Sequence, residues 1–208
     1  MKIRKIEIKN YRSLHNITIS PRDILSLVGR NNSGKSNVIE ALELFFKAST
    51  RLVNNECFYN HKTEAPIKIL ITFEQLSDWE REQFEPWMDE NKLVVGREVV
   101  CTDADSYTIN NLAITKVPEP EWLREDIING EKITDWWSKK DDLKINGLDF
   151  GVEFGTTKPG VRKWKEVAKK FLGEHRDEIP WKKERRENPK GYDGVLKGPC
   201  RNSYIFLP

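Results

Sequence analysis

The chain has 208 residues, 38% of them hydrophobic and 33% charged, with 35 Lys or Arg against 33 Asp or Glu and a formal net charge of +2. That length and balance suit a soluble globular protein of one sizeable domain, or one and a half. No apolar run approaches the ~20 residues that cross a bilayer, so a membrane partner is excluded by this reading.

The opening MKIRKIEIKN alternates apolar and polar residues and reads as a strand over Lys2–Ile8, not as a signal peptide. Asn10–Asn16 is turn-like, Ile17–Ile19 is a second short strand, and the two suit an antiparallel ribbon. Ile24–Val28 is a continuous apolar run, as expected of a strand buried on both faces. Gly29–Gly34 breaks it. From Lys35 to about Ala48, Val38, Ile39, Leu42, Phe45 and Phe46 recur at helical spacing. Ile67–Phe73 is a strong strand. Ser77–Asn91 reads as a helix, opened by Ser77 with Glu80 three residues on, a capping-box spacing. Leu93–Val100 and Ser106–Asn110 read as two further strands. From Lys116 to Lys197 the pattern loosens, with helical stretches near Glu121–Ile128 and Val161–Phe171. Ser203–Leu207 turns apolar again, like a strand beginning.

Cys57, Cys101 and Cys200 are odd in number and far apart, with no CxxC pair and no metal-ligand spacing. Reduced cysteines in a cytoplasmic protein are the expectation. The net charge conceals an asymmetry: Lys158–Arg201 carries fourteen Lys or Arg against seven Asp or Glu, a net of +7. Such a segment suits phosphates or a solvated helix surface.

Gly29-Arg30-Asn31-Asn32-Ser33-Gly34-Lys35-Ser36 fits G-x-x-x-x-G-K-[ST], and it lies between an expected strand and an expected helix. Gly29 and Gly34 let the backbone turn tightly and approach phosphate oxygens. The amides of Asn32 to Ser36 can converge on a phosphate at a helix N-terminus. Lys35 would reach the β- and γ-phosphates as a point charge and serve catalysis, and the Ser36 hydroxyl would ligate Mg²⁺. The cofactors implied are ATP and Mg²⁺. A GTPase would need N-K-x-D, whereas Asn91-Lys92 continues Leu93-Val94. A small-molecule kinase usually carries the loop on its first strand. Here two strands precede it, which favours an ABC-type head.

Several segments carry a resemblance. Ile8-Lys9-Asn10-Tyr11-Arg12-Ser13-Leu14 resembles the opening of SMC, RecF and OLD-type ATPases. Val28 to Asn37 looks like their phosphate loop, and Val38-Ile39-Glu40-Ala41-Leu42 like the stretch of helix directly after that loop. Arg97-Glu98-Val99 and Ser106-Tyr107-Thr108-Ile109-Asn110 are similar to a hairpin of SMC-like heads. The Asn31–Asn32 pair and Leu44-Phe45-Phe46 look most like the OLD-type, nuclease-associated members. The resemblance implies an α/β P-loop NTPase lobe of ABC type, an antiparallel β-ribbon beside a mixed core sheet, with the head incomplete. Residues 1–112 would be the ATP-binding lobe, 113–200 a partly helical basic insertion, and 201–208 the start of a further core strand. It places Arg12 and Ser13 near the nucleotide. Asn31 and Asn32 either orient phosphate or water, or simply tolerate a left-handed turn. Tyr11 is either core or an adenine-stacking ring.

The resemblance further implies DNA processing, repair or phage defence, with a homodimer of heads or a nuclease as partner. Hydrolysis would need an acidic Walker B pair and a signature motif, neither found in this sequence. Ile67–Glu74 is the nearest match to the former by hydropathy and reads better as a core strand. A non-catalytic, nucleotide-switched assembly module is the alternative from another class. Arg162-Lys163-Trp164-Lys165 and Trp181-Lys182-Lys183-Glu184-Arg185-Arg186 interleave cations with tryptophan. They suit either DNA contact with base stacking or a helix with one buried face.

Overall fold

A computed structural model of the chain describes residues 1–103 and 106–187. The Ser203–Leu207 expectation lies outside those residues. The elements are β1 (Lys2–Tyr11), β2 (Leu14–Ile19), α1 (Lys35–Lys47), β3 (Ile67–Glu74), α2 (Asp78–Phe84), β4 (Met88–Asp89), β5 (Lys92–Asp103), β6 (Ser106–Pro118), α3 (Gly130–Ser138), β7 (Lys144–Ile145), β8 (Leu148–Asp149), α4 (Val161–Glu174) and β9 (Trp181–Glu187). The chain divides into two compact units. One holds residues 1–115 with 185–187, the other Lys116–Glu184.

In the first unit the sheet runs β2-β1-β3-β5-β6, with β4 paired to β5. Pairing from β2 through β6 is antiparallel throughout. The ribbon expected at the N-terminus is therefore the edge of a wide antiparallel sheet. The expected mixed core sheet is corrected accordingly. Alternation in β3 sends Ile67, Ile69, Ile71 and Phe73 to one face, all fully buried. α1 covers that face with Val38, Ala41, Leu42, Leu44, Phe45 and Phe46, so the helix after the glycine loop is seated on the sheet. Gly96 of β5 lies where a Cβ would run into the Leu70 side chain and stand 2.9 Å from the Ile69 carbonyl oxygen, so only glycine lets the strands close.

Ile24–Val28 departs from expectation. It joins no strand, and Ile24 and Val28 are 87% and 91% exposed. An apolar run reports a tendency to be buried, but a strand also needs neighbours to take its amides and carbonyls. Among the described residues no strand pairs with it, and only Leu27 of the run packs partly against the core.

The helix expected over Ser77–Asn91 is shorter. Its capping box forms as read, with Ser77 N donating to Glu80 Oε2 at 2.7 Å and Glu80 N donating to Ser77 Oγ at 3.4 Å. α2 then stops at Phe84, because Pro86 offers no amide to continue it, and Met88–Asp89 returns as a strand.

The second unit has its own aromatic core. Phe150 and Trp164 are fully buried, with Leu123, Ile133, Leu143, Val167 and Phe171 around them. The Phe154 and Trp164 rings stack at 4.7 Å. The helix expected near Glu121–Ile128 is only a 3₁₀ turn, Glu121–Leu123. α3 begins later, where Asn129 Oδ1 accepts from Lys132 N at 2.9 Å. α4 follows its expectation and runs on to Glu174.

Candidate functional site

The loop from Gly29 to Gly34 leads into α1 through two left-handed residues, Asn32 (φ 64°) and Gly34 (φ 88°). Ser33 N donates to Arg30 O at 3.3 Å and tightens the turn. Space is short at both glycines. A Cβ on Gly29 would lie 3.0 Å from Ser33 Oγ, and one on Gly34 would lie 3.1 Å from Leu14 Cδ2 and 3.2 Å from Ser13 Oγ. The first turn of α1 has no side-chain cap and no acidic residue. Its amides and the positive end of the helix dipole are thus left to an external acceptor, an arrangement that favours anions. Lys35 curls back into the loop, its Nζ donating to Gly29 O at 2.8 Å, Arg30 O at 2.7 Å and Ser33 Oγ at 3.4 Å. Asn31 and Ser36 are exposed.

The tip of the β1–β2 ribbon is fastened to this junction. Arg12 and Ser13 form the two-residue connection between Tyr11 and Leu14, which pair across the ribbon. Asn37 Nδ2 donates to Ser13 Oγ at 2.7 Å. Arg12 forms an ion pair with Glu40 at 2.7 Å. Arg12 also holds a left-handed backbone (φ 48°), secured by its amide donating to Cys57 O at 2.8 Å. Such a conformation costs energy in a residue with a side chain and persists only where its surroundings hold it. The structure therefore brings Arg12, Ser13, Gly34 and Asn37 together. It leaves Asn31 without a partner among the described residues, and Asn32 serves the left-handed turn. Tyr11 is buried, so it is core and not a stacking platform. Burial, followed by the neighbouring Cys57, pushes its hydroxyl up to about 12 against the opposing effect of Arg12.

Two contacts of the site escape a motif search. Glu40 reads only as part of the helix after the loop, and no pattern pairs it with Arg12. Cys57 acts through its backbone carbonyl, which no side-chain pattern reveals. Arg97 is fully buried beneath α1, where its Nε donates to Phe45 O at 3.1 Å near the helix C-terminus, and it also bonds Asn111. A cation there complements the helix dipole and fixes the far end of α1. Glu74, which ends β3, pairs with Lys92 at 3.3 Å and Arg4 at 3.9 Å and so belongs to the sheet surface. Among the described residues no three His, Cys, Asp or Glu side chains cluster as metal ligands, and no helix is long and apolar enough to cross a membrane.

A glycine loop leading into an uncapped helix, with a lysine at the helix start and an arginine-bearing ribbon fastened beside it, defines a class. The AAA ATPase domain family matches residues 1–190, and the chain belongs to it, as an ABC-type ATPase of the SMC, RecF and OLD kind. Endonuclease GajA of Bacillus cereus (strain VD045) is 27% identical over 158 residues, an alignment that takes in 72% of this chain and 25% of that protein. The chain thus spans about a quarter of the length of the curated relative it matches.

Proposed function

We propose that this chain is the ATP-binding lobe of an ATPase that acts on DNA, with residues Gly29–Ser36 holding the triphosphate. The observation that carries the reading is the junction itself. Gly34 turns left-handed at a helix start without cap or carboxylate, and Lys35 lies folded against the loop that precedes it.

The residues present fit the nucleotide and its metal. The left-handed backbone at Gly34 favours glycine at the turn, and the amides of Asn32 to Ser36 suit phosphate oxygens. Lys35 would move from the Gly29 and Arg30 carbonyls to phosphate, which offers it full negative charge in place of a neutral acceptor. Asn31, Asn32 and Asn37 line the rim, Arg12 and Ser13 stand on the ribbon side, and Ser36 would hold Mg²⁺. Bound ATP with Mg²⁺ supplies the phosphoanhydride on which hydrolysis would act. In a longer protein we assign the lobe to head-to-head dimerisation or to work with a nuclease on DNA, in keeping with the endonuclease relative. The setting is cytoplasmic.

A thermal-shift titration with ATP, GTP and a non-hydrolysable ATP analogue tests the reading. The 208-residue chain is expected to be stabilised by ATP and the analogue and to release little phosphate, and Lys35→Ala is expected to abolish the shift. An unchanged shift in Lys35→Ala refutes the site. Brisk phosphate release refutes the need for elements outside this chain.

A further inference from the structure

We propose that α4 of the second unit carries a docking surface for the phosphate backbone of duplex DNA, made by Arg162, Lys165 and Lys169. The proposal rests on the DNA-directed reading above but uses a different part of the chain.

The three residues stand at i, i+3 and i+7 and so share one stripe of the helix. Their faces are set by what α4 buries. Trp164, Val167, Ala168 and Phe171 turn into the aromatic core, which leaves the stripe on the outer side. Other lysines of α4 have carboxylate company: Lys163 lies 3.7 Å from Glu166, and Lys170 lies 3.8 Å from Glu174 and 3.9 Å from Glu153. Among the described residues Arg162, Lys165 and Lys169 have no such partner. Three uncompensated cations spaced over about 10 Å of helix, at 1.5 Å per residue, form a row that complements a row of phosphates.

The aromatic residues decide which nucleic acid the surface suits. Binding of single strands relies on exposed rings on which bases stack. The second unit offers no fully exposed ring: its tryptophans are buried or half-buried. Trp164 is fully buried, and its Nε1 donates to Trp122 O at 2.8 Å. Trp122, Trp136, Trp137 and Trp181 pack against the same core. Trp181 is further tied by Nε1 donating to Arg176 O at 3.0 Å, with the Arg176 guanidinium 5.0 Å from its ring centre. In the Trp-and-cation segments of the sequence Trp164 is thus inside and Trp181 is held half-buried against the core, while the charges lie outside. What remains exposed reads phosphates and no bases, which favours duplex over single strands and predicts indifference to sequence.

The test measures binding of a fluorescent 30-base-pair duplex, and of one of its single strands, by anisotropy between 50 and 200 mM salt. It compares the full chain with the triple variant Arg162→Gln, Lys165→Gln, Lys169→Gln. Three lost phosphate contacts should reduce the slope of log K against log salt by about 2.7. Over that salt range the wild type should therefore lose about 40-fold more affinity than the variant. Thermal unfolding and the ATP shift should be the same in both proteins. An unchanged salt slope in the variant, or single-strand binding tighter than duplex binding, overturns the proposal. Failure of ATP to bind, with the duplex result intact, would instead refute the nucleotide reading alone.

Discussion

The Arg12 guanidinium lies 2.7 Å from the Glu40 carboxylate, joining the ribbon tip to the helix after the glycine loop. Both side chains remain more than a third exposed, at 40% and 36%, so the pair contributes under ~1 kcal/mol to stability. Its interest lies in what Arg12 would do once released. Glu40→Gln should leave the melting temperature within a few degrees of wild type and tighten ATP binding a few-fold, because a competing carboxylate is gone. Arg12→Ala should weaken ATP binding by roughly tenfold, the value of one charge-assisted contact. Isothermal titration of both variants checks this. Equal losses in the two would mean that the pair only holds the ribbon in place.

Acid sensitivity follows from two carboxylates outside the site. Burial raises the Glu80 carboxyl, but hydrogen bonds from the N-terminal ammonium at 2.8 Å and the Ser77 amide at 2.7 Å outweigh it and hold the group below its ordinary 4.5. Glu98 behaves alike: burial is overcome by Arg185, at 3.0 and 2.6 Å, and by Lys68 at 3.1 Å. A group depressed in the folded state stabilises above its unfolded pKa and loses that contribution as pH falls through the folded value. Stability should therefore be full above about pH 4.5 and decline below it. Glu80→Gln and Glu98→Gln should each cost about 1–2 kcal/mol at pH 7 and less at pH 3.5. Denaturant melts at the two pH values measure the difference.

Two glycines separate binding from folding. Gly34→Ala places a methyl at φ 88° against Leu14 and Ser13, so it should abolish the ATP-induced thermal shift and lower stability by about 1 kcal/mol. Gly96→Ala forces a methyl between β5 and β3, remote from the loop in sequence, and should cost about 1–3 kcal/mol. Once folded, that variant should bind ATP normally. Paired melts and titrations read both effects.

Local chemistry made much of this legible. The glycine loop, the amphipathic helix after it, the alternation of β3 and the Ser77–Glu80 box all depend on neighbours within a few residues, so the sequence displays them. The antiparallel step from β3 to β5 depends on pairing across 20 or more residues, such as Ile69 with Arg97, and hydropathy cannot show a partner. Ile24–Val28 failed for the same reason. The Arg12–Glu40 pair was hidden because it joins two segments far apart in the sequence, and the resemblance that each carries names no contact between them. Trp164 was ambiguous until the helix face was known, since a tryptophan between lysines suits a core and a base-stacking surface equally.

Asn37 offers the sharpest separation of anion binding from structure. Its Nδ2 donates to Ser13 Oγ at 2.7 Å, and it stands in a first turn that has no acidic residue. In Asn37→Asp the Ser13 hydroxyl can donate to the new carboxylate, so the link to the ribbon survives. A carboxylate at the positive end of α1 should also stabilise the helix by about 0.3–1 kcal/mol. The same charge would repel a triphosphate at those amides. The variant should therefore melt at or above the wild-type temperature while its ATP affinity falls at least about tenfold at low salt, a loss that shrinks as screening increases. Unaltered ATP affinity in a folded Asn37→Asp protein would show that no anion is held at the start of α1.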